Sequence, residues 1–209
     1  MSTLLSKSMW VALGVASAFA AASAPAQAQD TGLLVRARAV YVDPADKSDP
    51  VGGTGAADRL HVSTKWIPEV DISYFLTPNW AAELILTYPQ KHTVTLDGAS
   101  IGTFKHLPPT LTAQYHFLPR ATIDPYVGAG INYTLLSSVK LLNGAGRLEH
   151  DSVGLALQAG ADVRIDDRWV FNVDLKKLQI RSDVTISGAR ASRVKVDPLL
   201  LAAGVGYRF

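Results

Sequence analysis

The feature that most constrains this chain is an alternation of apolar and polar residues with a period of two, repeated from residue 33 to the last residue. Leu33, Val35, Ala37, Ala39 and Tyr41 share one parity, with Arg36 and Arg38 on the other. Trp66, Val70, Ile72, Tyr74 and Leu76 alternate with Glu69, Asp71 and Ser73, and Trp80, Ala82, Leu84, Leu86 and Tyr88 alternate with Glu83 and Thr87. Leu111 to Phe117, Val127 to Leu135, Val153 to Val163, Trp169 to Leu175 and Leu199 to Phe209 repeat the pattern. Strict alternation is the signature of a β-strand with two unlike faces, because successive side chains point to opposite sides. Eight such segments, most of about ten residues, match the length a tilted strand needs to cross a bilayer.

Ahead of the first strand, Lys7 is followed by the apolar run 9–22 and then by Ala26-Gln27-Ala28, a small-residue cleavage pattern. This reads as a secretory signal peptide over residues 1–28, shorter in its apolar run than the roughly 20 residues of a membrane-spanning helix. The expected domain is then 29–209, exported from a bacterial cytoplasm.

Composition narrows the choices. Charged residues make up 18% of the chain and the mean hydropathy is +0.14, yet no apolar block follows the leader. The net charge of +2 gives no basic excess of the kind a nucleic-acid binder shows. With no cysteine, disulfides and cysteine-based metal centres are excluded.

Such alternation suits either a soluble barrel with its apolar face inward or a membrane barrel with that face outward. The aromatics Tyr41, Trp66, Trp80, Tyr88, Phe117, Tyr133, Trp169 and Phe209 fall at the ends of the apolar faces, where membrane barrels carry their interfacial girdles. Connections alternate as well. Residues 77–79, 166–168 and 118–124 are short, whereas 43–64, 89–107, 136–151 and 181–195 are long, matching periplasmic turns and extracellular loops. The fold expected is all-β: an eight-stranded antiparallel transmembrane β-barrel of the outer-membrane type, a monomer because closure leaves no free edge. The 43–59 segment, rich in Asp, Gly and Pro, reads as a mobile surface loop, and 136–151 has room for a short helix.

In that frame Arg36, Arg38, Glu69, Asp71, Glu83, Asp162, Arg164, Asp174, Lys176 and Arg208 face inward. Their mixed signs suit a salt-bridged plug in the periplasmic half; an ion-selective lumen is the sharper alternative, disfavoured because eight strands leave little room for water. Tyr207 and Phe209 end the chain on the lipid-facing parity, similar to the pattern that outer-membrane assembly machinery reads.

Three stretches carry a resemblance. His106-Leu107-Pro108-Pro109-Thr110-Leu111 with Ala113-Gln114-Tyr115, then residues 125–133 (PYVGAGINY), then Asp197-Pro198 leading to Gly204-Val205-Gly206-Tyr207-Arg208-Phe209, resemble motifs of the outer membrane protein W (OmpW) family. The resemblance implies a narrow, largely apolar channel for small hydrophobic molecules, with a polar plug beneath and a sideways exit into the membrane. On that reading the partners are outer-membrane lipid, small hydrophobic solutes and the assembly machinery. Ile67, Ile85 and Thr87 occupy inward positions near the outer end and are the expected channel lining; Lys176 stands where family members place an inward aromatic. The upper lumen is then expected to be apolar and open. Pro89, Pro108 and Pro109 lack amide donors and mark strand ends or a break in the wall.

The alternatives are a structural or host-interaction barrel that works through its loops, and a lipid-modifying enzyme. The second would need a nucleophile beside a base. In His150-Asp151-Ser152, adjacent residues of one strand face opposite ways, so that Asp151 cannot orient His150 toward Ser152. The five histidines are dispersed, which does not suit metal ligation. The expectation is a non-enzyme without cofactor or metal, located in the bacterial outer membrane.

Overall fold

A computed structural model describes residues 32–50, 56–141, 146–148, 151–186 and 189–209. The leader expected at 1–28 lies outside these residues, as does His150.

Eight long strands make the wall: β1 (Leu33–Asp43), β4 (Lys65–Phe75), β5 (Trp80–Leu86), β8 (Thr110–His116), β9 (Ile123–Leu141), β11 (Asp151–Arg164), β12 (Trp169–Leu178) and β15 (Leu199–Arg208). Each pairs antiparallel with its neighbour in that order, and β15 returns to β1 with Leu34 opposite Arg208, so the sheet closes. The eight periodic segments coincide with these eight strands. Burial confirms which way the barrel faces. Val153, Leu155 and Leu157 are 61–71% exposed, whereas Arg36, Asp71 and Glu83 are fully buried. Apolar surface lies outside and charge inside, the reverse of a soluble core.

Tight turns close one end. Leu76 N–H donates to Trp80 O across residues 77–79, and the Thr77 hydroxyl accepts from Trp80 N–H. At 166–168 the Asp166 carboxylate accepts from the amides of Arg168 and Trp169 at 2.8 and 2.7 Å, an Asx turn that lets the chain reverse in so few residues. The start of β1 and the end of β15 meet here, and the aromatics pack in pairs: Trp80 with Tyr115, Trp169 with Tyr207, and Tyr207 with Phe209, at centroid distances of 4.9–5.1 Å. Tyr41 and Trp66, 5.3 Å apart, mark the opposite girdle with Tyr88 and Tyr133.

The long connections differ from the expectation of loops. They hold β2 (Lys47–Ser48), β3 (Leu60–Val62), β6 (Gln90–Leu96), β7 (Ala99–Leu107), β10 (Gly146–Leu148), β13 (Arg181–Ile186) and β14 (Ala189–Lys195). These extend the wall as a collar: β3 pairs with β6, β6 with β7, β7 with the upper half of β9, then β10, β13, β14 and β2 follow. Asp58 N–H to Ser48 O at 3.0 Å and Leu60 N–H to the Ser48 hydroxyl at 3.3 Å link β2 to β3, so the collar also comes round on itself. The described parts of 43–59 are therefore tied down, and the described parts of 136–151 are strand with no helix. The physical reason is edge satisfaction: β9 runs past the barrel, and its unpaired amides recruit β7 and β10 as neighbours.

Candidate functional site: the stacked lumen

Read upward along β1, the inward side chains are Leu34, Arg36, Arg38, Val40 and Val42. The same order recurs around the barrel: a small apolar base, a charged middle, an apolar top. The base is Leu34, Phe75, Ala81 and Val170.

The middle is a cross-braced charge network. Arg36 grips Asp162 with two parallel bonds, Nε to Oδ1 at 3.0 Å and Nη2 to Oδ2 at 2.6 Å, and its third nitrogen reaches Asp71 at 2.7 Å and the Ser73 hydroxyl at 2.8 Å. Arg38 meets Glu69 at 2.9 Å, Asp71 at 2.9 Å and Glu83 at 3.2 Å. Lys176 Nζ lies 2.9 Å from both Glu69 and Asp174. The carboxylates Glu69, Asp71, Glu83, Asp162 and Asp174 outnumber these three cations, and neutral donors take up the difference. Thr112 and Gln158 each donate to Glu83 Oε2 at 2.8 Å, the Tyr126 hydroxyl donates to Asp174 at 2.7 Å, and Asn172 donates to Asp162 at 2.9 Å. Beside them His116 Nδ1 is 2.8 Å from Asp124. Seven of the eight wall strands contribute. The eighth, β15, supplies Gly204 and Gly206 there, and a methyl group on Gly206 would stand 2.8 Å from Arg36 Cγ. On β11 a methyl at Gly160 would meet the Tyr126 ring at 2.5 Å. The small residues of the sequence are the room into which the large polar ones fit.

The interior charges predicted from parity are brought together, with two exceptions. Arg164 stands outside the network on the exposed rim, donating to Pro119 O at 3.0 Å. Arg208 is half-buried at the base, its guanidinium 4.9 Å over the Phe75 ring centroid. Both lie at strand ends, where parity still points inward but no facing strand closes over them. Sequence reasoning missed the neutral members, Tyr126, Asn172, Thr112 and Gln158. Their inward parity was the available signal.

Above the plug, Val40, Ile67, Ala156, Leu178, Leu200 and Ala202 begin an apolar cluster that continues into the collar through Val42, Val62, Val94, Phe104, Leu136 and Ile180. None of them is more than 6% exposed. The upper lumen is thus largely apolar, with Gln90, His92 and His106 buried among the apolar side chains, and it is filled where an open lumen was anticipated. Ile85 is buried directly above Glu83 on β5, and Ile67 directly above Glu69 on β4. Thr87 departs from its expected place: it is half-buried beyond the end of β5, and its hydroxyl donates to Pro68 O at 2.9 Å across the wall.

That bond marks a thin place. The β4–β5 ladder stops at Val70 opposite Leu86, and the β5–β8 ladder at Ile85 opposite Thr110. Pro89 separates β5 from β6, and Pro108 with Pro109 separates β7 from β8. Pairing resumes where Ser63 N–H donates to Thr93 O at 3.1 Å on one side, and where Gln90 stands opposite His106 on the other.

A closed eight-stranded wall, inside-out burial, a charge plug and this order of motifs coincide with one family model, described as the OmpW family, which matches residues 29–209. The chain belongs to the OmpW family. It is 32% identical over 215 residues to outer membrane protein W of Vibrio cholerae, covering 94% of this chain and 97% of that one. It is 42% identical over 182 residues to the uncharacterized outer-membrane protein y4mB of Sinorhizobium fredii, covering 84% and 79%. Its fold superposes on the crystal structure of the outer membrane protein OprG from Pseudomonas aeruginosa with a TM-score of 0.76 at 26% identity, covering 88% of this chain and 99% of that one. Like other members of the OmpW family, the protein is an outer-membrane β-barrel.

Proposed function

We propose that this OmpW-family barrel carries small hydrophobic molecules between the external medium and the membrane interior. The observation that carries this reading is the stacking of an apolar chamber directly on a charge-locked floor. A molecule that entered from the collar would meet mainly apolar side chains until Glu69 and Glu83, and the plug below leaves it no aqueous route through. The thin place in the wall lies at that level, between Pro68 and Pro89, beside Ile67 and Ile85, and offers a sideways exit into lipid. Because the chamber is packed at rest, passage requires its side chains to move apart, and apolar contacts without hydrogen bonds are the ones most cheaply exchanged for a solute of the same character.

A second reading has one observation in its favour. A packed lumen also suits a structural or receptor barrel that works through its collar. Uptake of naphthalene into proteoliposomes separates the two. The transport reading expects barrel-dependent uptake that falls at least about ten-fold in Ile85→Lys, since a long charged side chain there occupies and polarises the apolar chamber. Equal uptake with and without the barrel, or an Ile85→Lys barrel that is folded and conducts normally, overturns transport in favour of the collar.

A further inference from the structure

Three polar side chains inside the collar each keep one buried atom without a hydrogen-bond partner. Gln90, His92 and His106 face inward on the β6–β7 hairpin, all three buried, with Gln90 opposite His106 in the register. His92 and His106 stack at 4.7 Å with 29° between their planes, and the Phe104 ring lies 5.9 Å from His92 and 6.1 Å from His106. The hydrogen-bond partners fix what each exposes. Gln90 Nε2 donates to Tyr88 O at 3.0 Å, which leaves Oε1 as an acceptor that no protein group reaches. His92 Nδ1 lies 2.9 Å from Ser63 O, and because a carbonyl only accepts, Nδ1 carries the proton and Nε2 holds a bare lone pair, also unreached. His106 Nδ1 has no partner either. Burial holds the His106 imidazole neutral, its pKa pushed down to about 3, and lowers that of His92.

Buried polar atoms without partners are costly, and three side by side, at least two of them acceptors, are seldom retained without use. We propose that Gln90, His92 and His106 form a recognition point for small apolar molecules that carry a hydroxyl or amine N–H, the donor satisfying Gln90 Oε1 or His92 Nε2 while the flat body of the molecule lies against the His–Phe stack. This rests on the transport reading and names its substrate class: amphiphilic, hydroxylated aromatics in preference to bare hydrocarbons. A hydrophobic site that hydrogen-bonds a hydroxyl discriminates strongly against the analogue lacking it, because its own polar groups are then left unpaired.

The test compares 1-naphthol with naphthalene in two measurements on the full-length barrel. In proteoliposomes, 1-naphthol is expected to enter faster than naphthalene after correction for passage through protein-free vesicles. Gln90→Leu/His92→Phe, which keeps a flat ring at 92 and removes both acceptors, should lower 1-naphthol uptake roughly ten-fold while leaving naphthalene uptake unchanged. In detergent micelles, the imidazole nitrogen resonance of His92 Nε2 should shift with 1-naphthol and stay fixed with naphthalene. Should both solutes cross at equal rates in both proteins with the resonance unmoved, the recognition point is overturned and the transport reading stands. Barrel-dependent uptake of neither solute removes the transport reading alone. The resonance then decides the site by itself: a shift specific to 1-naphthol upholds it, and no shift overturns it. Should the double variant not fold, Gln90→Met and His92→Phe are made singly, and at least one of them must lower the preference; an unchanged preference in both overturns the proposal.

Discussion

Arg36 shows what a single residue does in this interior. Its guanidinium is wholly buried, grips Asp162 through two bonds and reaches Asp71 and Ser73 with the third nitrogen. Removing one partner of a buried pair strands the other, so Arg36→Leu should cost about 3–5 kcal/mol of stability, read as a lower urea midpoint in detergent micelles by tryptophan fluorescence. Arg36→Leu/Asp162→Leu should recover part of that loss, because an apolar pair of similar volume carries no uncompensated charge. A double variant less stable than the single would show that the network, and not the pair, sets the cost. Parity in the sequence assigned Arg36, Arg38, Glu69, Asp71, Glu83, Asp162 and Asp174 to the inner face. It assigned Arg164 and Arg208 there too, and these lie on the rim and at the base. Alternation fixes the face of a residue but not its height; height comes from the stagger of strands that are distant in sequence.

At the scale of elements, the β6–β7 hairpin was legible and overlooked. Asp97-Gly98, both with positive φ (50° and 81°), form the two-residue turn that matches strand twist, and Asp-Gly between alternating residues is a strong hairpin signal. The exposed Arg59 side chain binds Asp97 and steadies the turn. The hairpin stands above the outer girdle, and its histidines make it sensitive to pH. Folded His106 titrates near 3, whereas an exposed histidine titrates near 6.5. Between those values the opened hairpin binds more protons than the closed one, so closure weakens as pH falls below about 6.5 and is unaffected above it. Protection factors of the Val94 and Phe104 amides should drop between pH 7.5 and pH 4.5, and His106→Phe should reduce the drop. Identical protection at the two pH values would show that the histidines already reach solvent.

The whole molecule is organised by its two solvents, lipid outside and a sealed polar interior. Val173 lies midway along β12, four residues from Trp169 in the turn-end girdle and four from Lys177, whose ammonium reaches Asp197 O at the outer interface. Val173→Arg should therefore destabilise the barrel by about 2–4 kcal/mol, against about 0–1 kcal/mol for Leu199→Arg beside Lys177, in unfolding titrations from lipid vesicles. Equal costs at the two positions would mean that the lipid-facing band is not centred where the girdles place it.

Period two, the aromatic ends and the alternating connection lengths were enough to set the class, the strand count and the inside-out facing of this barrel, because each is a local consequence of how a strand meets two different environments. The plug's partners, the strands within the long connections, the packed chamber and the buried Gln90–His92–His106 group were decided only by tertiary structure. Which inward residues meet depends on the register between strands far apart in sequence, as in Arg36 and Asp162, which lie 126 residues apart, and closure of the barrel sets that register for all strands at once.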